Sequence, residues 1–353
     1  MAGDITETLQ QQVQRAAAEG TALDIQGGGS KRFLGHAAMG SALPVRNHRG
    51  VIDYDPSELV LTARAGTPLA EIENTLAQNA QMLPFEPPHF GPDATLGGTI
   101  ACGLSGPRRP YAGSARDFVL GCKMLNGTGE LLNFGGRVMK NVAGYDVPRL
   151  MTGAHGTLGL LLEISLKVLP RPPASLTLIQ ECSAEAAIAR MSHLLSQPVP
   201  VDGACYHAGH CYLRVSGSAL AVKHAHEVVG GEVVERPDHF WQQLREHQLP
   251  FFSTANCIYR VLVKPATPPL PLAGNWLLDW GGAQRWLVSE EPLARIRACV
   301  SAAGGHVTRF RGAPDGGEIF QPLGAPMLAL HQRLKASFDP HCILNPGRMY
   351  ANL

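Results

Sequence analysis

Long apolar runs are missing from this sequence. No stretch approaches the roughly 18 consecutive apolar residues that a membrane-spanning helix needs, which excludes a direct membrane span. An excess of either charge is missing too: 30 Lys and Arg against 29 Asp and Glu leave a formal net charge of +1, no basic field for nucleic acid or anionic lipid. Cys-x-x-Cys pairs are absent. The eight cysteines, scattered from Cys102 to Cys342, have the spacing of neither a zinc site nor an iron–sulfur cluster nor a disulfide framework, and read as reduced, buried thiols with no metal. The first residues carry Asp4 and Glu7 where a secretion signal has basic residues and then apolar ones, the pattern of a cytoplasmic protein. What is present is a globular composition, 45% hydrophobic and 17% charged over 353 residues, near the length of two domains and unusually supplied with 39 glycines.

Ile5, Leu9 and Val13 recur at helical spacing, with Asp4 and Glu7 as a capping box and Gly20 as the stop. Strands are expected at Leu23 to Ile25, Val51 to Tyr54 and Leu59 to Ala63. Thr67 then caps a helix that starts at Pro68 and uses Leu69, Ile72 and Leu76. Phe118 to Leu125 and Leu131 to Phe134 flank the hairpin signal Asn126-Gly127-Thr128-Gly129, and the alternation from Glu163 to Val168 predicts a strand with one wet face. Pro170, Pro172 and Pro173 mark a domain boundary. Beyond it helices (Ser183 to Ser196, Ser218 to Val229, Pro292 to Ala303) alternate with hairpins (Ala204 to Val215; Trp276 to Asp279 with Arg285 to Val288) and with strands at Ile258 to Lys264 and His306 to Phe310. That pattern predicts an α+β layer with an antiparallel sheet covered on one face.

Three Gly-rich stretches lie in the first half: Ile25 to Lys31 (I-Q-G-G-G-S-K), Ala94 to Gly106 and Gly153 to Gly159. Gly27, Gly28 and Gly29 lack a Cβ, so their N–H groups can converge on an anion, with the Ser30 hydroxyl and Lys31 ammonium completing the cradle. The plainer reading of any single triple glycine is a turn. The first stretch is no Rossmann fingerprint, because Gly27-Gly28-Gly29-Ser30 opens no clear helix, and no Walker A loop, because Ser30 precedes Lys31 and Arg32 follows it.

In chain order, I-Q-G-G-G-S-K (25–31), P-D-A-T-L-G-G-T-I-A (92–101), G-S-A-R-D-F-V-L-G (113–121), K-N-V-A-G-Y-D-V-P-R-L (140–150), G-T-L-G-L-L-L-E-I (156–164) and I-L-N-P-G-R (343–348) resemble the vanillyl-alcohol oxidase (PCMH) type of FAD-binding protein. R-V-M-K-N-V-A-G-Y-D-V (137–147) and D-W-G-G-A-Q-R-W-L (279–287) resemble the smaller, FAD-binding subunits of bacterial glycolate oxidase complexes. The resemblance implies an α+β fold, with a two-part FAD-binding domain over residues 1–170 and a cap domain over 171–353 whose end returns to the flavin. It assigns Gly27, Gly28, Gly29, Ser30 and Lys31 to a first phosphate loop, and Pro92, Ala94, Thr95, Gly97 and Gly98 to a second. Ser114 and Asp117 are weaker assignments; Gly156, Thr157, Gly159 and Ile164 go to the adenosine side, and Asn345 to the isoalloxazine. Relatives that bind flavin covalently use a His where Gly29-Ser30 stands here, implying noncovalent FAD.

The H-x-G-D-G-x-x-H and E-H-G segments of the family's catalytic 2-hydroxy-acid dehydrogenases are absent, and no general base is identified. This implies an electron-transfer subunit beside a larger catalytic FAD subunit and an iron–sulfur subunit, oxidising glycolate to glyoxylate, cytoplasmic or held at the inner membrane through its partners. The alternatives are a self-sufficient FAD-dependent 2-hydroxy-acid dehydrogenase and a non-redox scaffold subunit. Four further features have a bland reading beside a functional one. His207 and His210, flanked by Cys205 and Cys211, read as a cross-strand pair at a tight turn rather than metal ligands, and His224 and His226 cannot share a helix face. Arg260 and Arg285 read as surface salt-bridge residues or as carboxylate clamps, and Trp280 and Trp286 as core or subunit contact.

Overall fold

The computed structural model of the protein describes residues 3–37, 39–136, 145–253, 257–312 and 317–353. The chain divides into two compact units, one of Met1–Ser105, Ser114–Pro170 and Pro322–Leu353, the other of Gly106–Gly113 and Arg171–Gln321. Two segments therefore depart from a division into 1–170 and 171–353. Gly106–Gly113 groups with the second unit because the Gly106 carbonyl accepts from Trp280 Nε1 at 2.9 Å and Arg108 pairs with Asp202. The last 32 residues group with the first because Leu344 bridges to Leu23 in parallel, and the Leu23 N–H and carbonyl bond Ile343 and Asn345 at 2.7 and 3.0 Å.

The first unit is built on a five-stranded sheet in the order Val51–Asp55, Val60–Arg64, Leu160–Lys167, Val119–Leu125, Leu131–Gly135, every neighbouring pair antiparallel. The hairpin forms where Asn126-Gly127-Thr128-Gly129 predicts it, with Asn126 Oδ1 accepting from the N–H groups of Thr128 and Glu130 and Gly129 at φ +75°. The wet face expected from Glu163 to Val168 is only half wet. Leu160–Lys167 is the central strand, and Ser165 is buried with its hydroxyl 2.8 Å from that of Thr62.

The helix Thr6–Glu19 buries Leu9 and Val13 and stops at Gly20 in the left-handed region, but no capping box forms. Asp4 Oδ1 accepts from the Thr6 N–H at 3.0 Å, and Glu7 stays exposed. Leu69–Ala77 likewise buries Leu69, Ile72 and Leu76, yet Pro68 is its cap residue, because Thr67 Oγ1 is spent on the Arg64 carbonyl and the Gly50 N–H. A short parallel pair, Leu23–Gln26 with Ser41–Pro44, and an antiparallel pair, Gln81–Met82 with Leu169–Pro170, also belong to the first unit. The strand Ser41–Pro44 was not anticipated.

The second unit is an eight-stranded antiparallel sheet flanked by helices, among them Ala184–Leu194, Ala219–Val229 and Leu293–Ala302. Ser183 and Ser218 cap the first two through the N–H groups of Ala186 and Ala221. The opposite face is not bare: Trp241 of Pro237–Arg245 donates to Thr177 Oγ1 at 2.9 Å, and His247 and Phe252 pack on Trp286. His207 stands opposite His210 across the turn at Ala208 and Gly209, while Cys205 pairs with Tyr212 and Cys211 with Tyr206, so the two cysteines face opposite sides of the sheet. All eight cysteines are free, but only Cys122, Cys205 and Cys211 are buried, and Cys342 is exposed, contrary to a uniformly buried set. No helix among the described residues is long and apolar enough to cross a membrane.

Candidate functional site

At the end of Leu23–Gln26 the Gln26 carbonyl accepts from Val45 N at 2.8 Å, and the chain then leaves the ladder. The next four N–H groups, of Gly27, Gly28, Gly29 and Ser30, donate to no acceptor among the described residues. They open on a cleft within the first unit, about 980 Å³ counting its solvent-filled mouth. Gly27 to Lys31 line it together with Thr95, Gly97 and Gly98 of the second stretch, Gly156 and Gly159 of the third, and Asn345 from the chain's end.

Glycine is required here for close packing of the loops more than for unusual dihedrals. A Cβ at Gly28 would fall 1.4 Å from the Asp93 carbonyl oxygen and one at Gly27 would fall 2.6 Å from Thr95 Oγ1, while Gly29 alone of the three has positive φ, at +76°. Thr95 caps Leu96–Cys102, accepting from Gly98 N at 3.3 Å, and the Gly97 N–H donates to the Ala65 carbonyl. The second loop therefore forms a wall whose N–H groups at these two positions serve the fold, and the first loop supplies the open donors.

The remaining expected residues lie elsewhere. Pro92 is exposed, and Ala94 is buried with its carbonyl accepting from Leu69 N at 2.8 Å. Ser114 and Asp117 form a reciprocal cap on the short helix Ala115–Asp117. Thr157 is buried outside the lining, its hydroxyl donating to the Ala154 carbonyl. Ile164 is a sheet-core residue paired with Ala63 and Cys122. None of these six lines the cleft. Residues 137–144 lie outside the described residues; Tyr145 is exposed, and Asp146 caps Val147–Met151 through Arg149 N.

Sequence reasoning missed several lining residues. Arg32 and Arg348 add positive charge beside Lys31, only partly offset by Asp24, which pairs with Arg32 at 2.9 Å. Lys31 is 6% exposed, with Nζ 3.2 Å from the His89 carbonyl. His155 also lines the cleft, and burial first, then the charge of Arg348, lowers its pKa to about 4, so the imidazole is neutral at pH 7. Asn345 is the clasp of the site: Oδ1 accepts from Ile25 N and Nδ2 donates to the His155 carbonyl, both at 2.7 Å. Behind it, buried Lys335 donates to the carbonyls of Thr157 and Leu344 and to Asp339 Oδ2, while Asp339 accepts from Ile343 N and Leu344 N. Their i, i+4 spacing just before I-L-N-P-G-R was the available signal.

Open backbone donors in a glycine loop, three cations against one acid and an apolar recess fit a dinucleotide whose pyrophosphate lies on the Gly27 to Ser30 amides. Residues 4–135 match the family model described as an FAD binding domain. Over 350 residues the chain is 52% identical to the glycolate oxidase subunit GlcE of Escherichia coli K12, covering 99% of each. It is 32% identical over 171 residues to the D-2-hydroxyglutarate dehydrogenase of Xanthomonas citri pv. viticola, 48% of this chain and 36% of that one. It is also 29% identical over 140 residues to the glycolate oxidase subunit GlcD of Bacillus subtilis 168, 40% of this chain and 30% of that one. A solved alkyldihydroxyacetonephosphate synthase shares the fold, with a TM-score of 0.68 over 96% of this chain and 75% of that one at 15% identity.

The FAD-binding segment and the end-to-end match together make the chain a flavoprotein of the FAD-binding oxidoreductase class. Within that class, the chain belongs to the family of the glycolate oxidase subunit GlcE.

Proposed function

We propose that this chain is the FAD-binding, electron-relaying subunit of a complex that oxidises glycolate to glyoxylate, working beside a larger catalytic flavoprotein subunit and an iron–sulfur subunit. The observation that carries the reading is the end-to-end correspondence with a glycolate oxidase subunit. Bound FAD would take up an electron pair and release it singly, which is the chemistry a relay needs. The chain's own part is to hold the pyrophosphate on the Gly27 to Ser30 N–H groups, with Lys31, Arg32 and Arg348 lowering the cost of its charge. Asn345 ties the base of that loop to His155 and so to the third glycine stretch. With Gly29-Ser30 where covalent relatives carry His, the flavin is held noncovalently. The absence of the H-x-G-D-G-x-x-H and E-H-G segments supports relay rather than substrate oxidation, since metal and base polarise and deprotonate a hydroxy acid. The complex works in the cytoplasm, and any attachment to the inner membrane comes through partners.

Glycolate-dependent dye reduction, measured with the purified chain alone and with its co-expressed partners, tests this. Reduction by the assembly and none by the isolated, FAD-loaded chain is expected. Full turnover by the chain alone would instead make it a self-sufficient dehydrogenase, and flavin that stays oxidised while the assembly turns over would make it a scaffold.

A further inference from the structure

In the second unit, the strand Ile258–Leu262 places Tyr259 and Val261 in the core under the helix Leu293–Ala302, so Arg260 points to the other face of the sheet. There its guanidinium carbon lies 5.1 Å from the ring centre of Trp280, and that of Arg109 lies 4.3 Å from the same ring. Two cations thus share one indole. Arg260 is half-buried, and the one acid whose charge it feels is Asp279. What orients it is a neutral amide: Gln284 Oε1 accepts from Arg260 Nε at 2.6 Å, and Gln284 Nε2 donates to Asp279 Oδ2. The nearby acid therefore acts at one remove, fixing the amide that fixes the guanidinium. Burial first, then the charge of Arg109, lowers the Arg260 pKa to about 10, and the charge of Asp279 offsets only part of this.

The platform itself is strained. Trp280 is a bulky residue at φ +54°, followed by Gly281 at +63° and Gly282 at +92°, and Asp279 Oδ1 holds the turn by accepting from Trp280 N at 2.7 Å. Arg285, the other arginine that sequence reasoning singled out, is not part of this arrangement or of the surface. It is 2% exposed and donates to the carbonyls of Gly282, Pro268 and Thr267, which makes it a loop clamp.

A half-buried cation held by an amide, with a second cation on the same ring, is a preorganised anion receptor, and a guanidinium free to bind side-on with two N–H groups matches a carboxylate. We propose that Arg260, seated on Trp280 beside Arg109, is a receptor for a small carboxylate, and that the acid is bound there without being oxidised. The first half stands on this unit alone; the second rests on the relay reading. Tyr111, whose hydroxyl lies against Gly281, is held protonated by burial, and Asp279 is engaged with Trp280 N and Gln284, so neither is placed to take a proton from a bound hydroxy acid.

Isothermal titration of the FAD-loaded chain with sodium glycolate, sodium acetate and uncharged glycolamide tests the receptor, with anaerobic absorbance of the flavin read in parallel. Saturable binding of both acids, none of glycolamide and no bleaching are expected. Arg260→Gln should weaken the acids at least tenfold, Arg260→Lys less, and Arg15→Gln, altering an exposed helix pair, not at all. Flavin content should be unchanged in all three. Absence of carboxylate binding to the wild-type chain overturns the receptor, as does binding that survives Arg260→Gln; either result leaves the relay reading to its own dye-reduction test. If glycolate bleaches the flavin, the site oxidises its ligand and the binding-only role is wrong. A carboxylate supplied by a partner subunit is distinguished from a free acid by adding glycolate to the assembled complex: free acid still binds if the receptor is open there, and does not if a partner's side chain fills it.

Discussion

At Gly28 the residue type is dictated by one atom, the Asp93 carbonyl oxygen, which a Cβ would meet at 1.4 Å. Gly28→Val therefore forces the first and second glycine loops apart and should reduce flavin retention after desalting below one tenth of wild type. Lys31→Ala removes a cation whose Nζ is already bonded to the His89 carbonyl, and should weaken FAD by about tenfold, the worth of one charge-assisted hydrogen bond. The ratio of flavin to protein absorbance in the two variants separates the effects; the reverse order would mean that side-chain charge, not the backbone cradle, holds the cofactor. His155 sets a pH dependence in the same cleft. Its pKa falls from 6.5 to about 4 on folding, so the unfolded chain binds the proton more readily. The resulting stability is complete above pH 6.5 and is lost as pH falls toward 4, a swing of about 3 kcal/mol. His155→Asn, a residue that tolerates the positive φ found there, should shrink the difference in urea midpoint between pH 8 and pH 5.

At the scale of elements, the helix Ala325–Phe338 buries a single residue, Lys335, and that residue organises the segment after it. Lys335 and Asp339 form a buried pair whose other side-chain bonds all go to backbone, so removing one partner strands a charge as well as loosening the segment from Ile343 to Asn345. Lys335→Met should cost about 3–5 kcal/mol of stability in a urea melt. It should also weaken FAD through Asn345, although Lys335 does not line the cleft. Restoring flavin in excess should recover part of the lost melting temperature, because ligand bound only by the native state stabilises by mass action. Asp339→Asn, whose single side-chain oxygen still accepts from one of Ile343 N and Leu344 N, is expected to lose less.

At the scale of the whole molecule, the chain passes between its two compact units after Ser105, Gly113, Pro170 and Gln321. A fragment of residues 1–170 therefore lacks both the parallel bridge to Leu23 and the Lys335 knot, and keeps the Gly106–Gly113 segment without its partners Trp280 and Asp202. Such a fragment should show no cooperative melt and no bound flavin by absorbance, even though it contains every residue of the matched FAD-binding segment, 4–135. Adding residues 322–353 in trans should restore some flavin binding if the C-terminal return is what the fragment misses.

What the chain's order of residues determines by itself is local. Helical spacing at Leu9 and Val13 and at Leu69, Ile72 and Leu76, serine caps at Ser183 and Ser218, and the Asn126 hairpin all form as their chemistry requires, since each depends on neighbours within a few positions. At Gly27, Gly28 and Gly97 the residue type follows from close packing, because a Cβ there would meet a neighbouring atom at 2.6, 1.4 and 2.7 Å. Tertiary structure decided the rest. Thr67 gave up a cap to bond Gly50, Ser165 went from a wet face to a buried pair, and Ile164 and Thr157 were packed away from the cleft that their motif borders. Arg285 and Arg260, alike in sequence, became a loop clamp and a half-buried cation on an indole. The physical reason is the same in each case: a polar group must find a partner once buried, and which partner is within 3 Å depends on segments up to 320 residues apart, as Ile25 and Asn345 are.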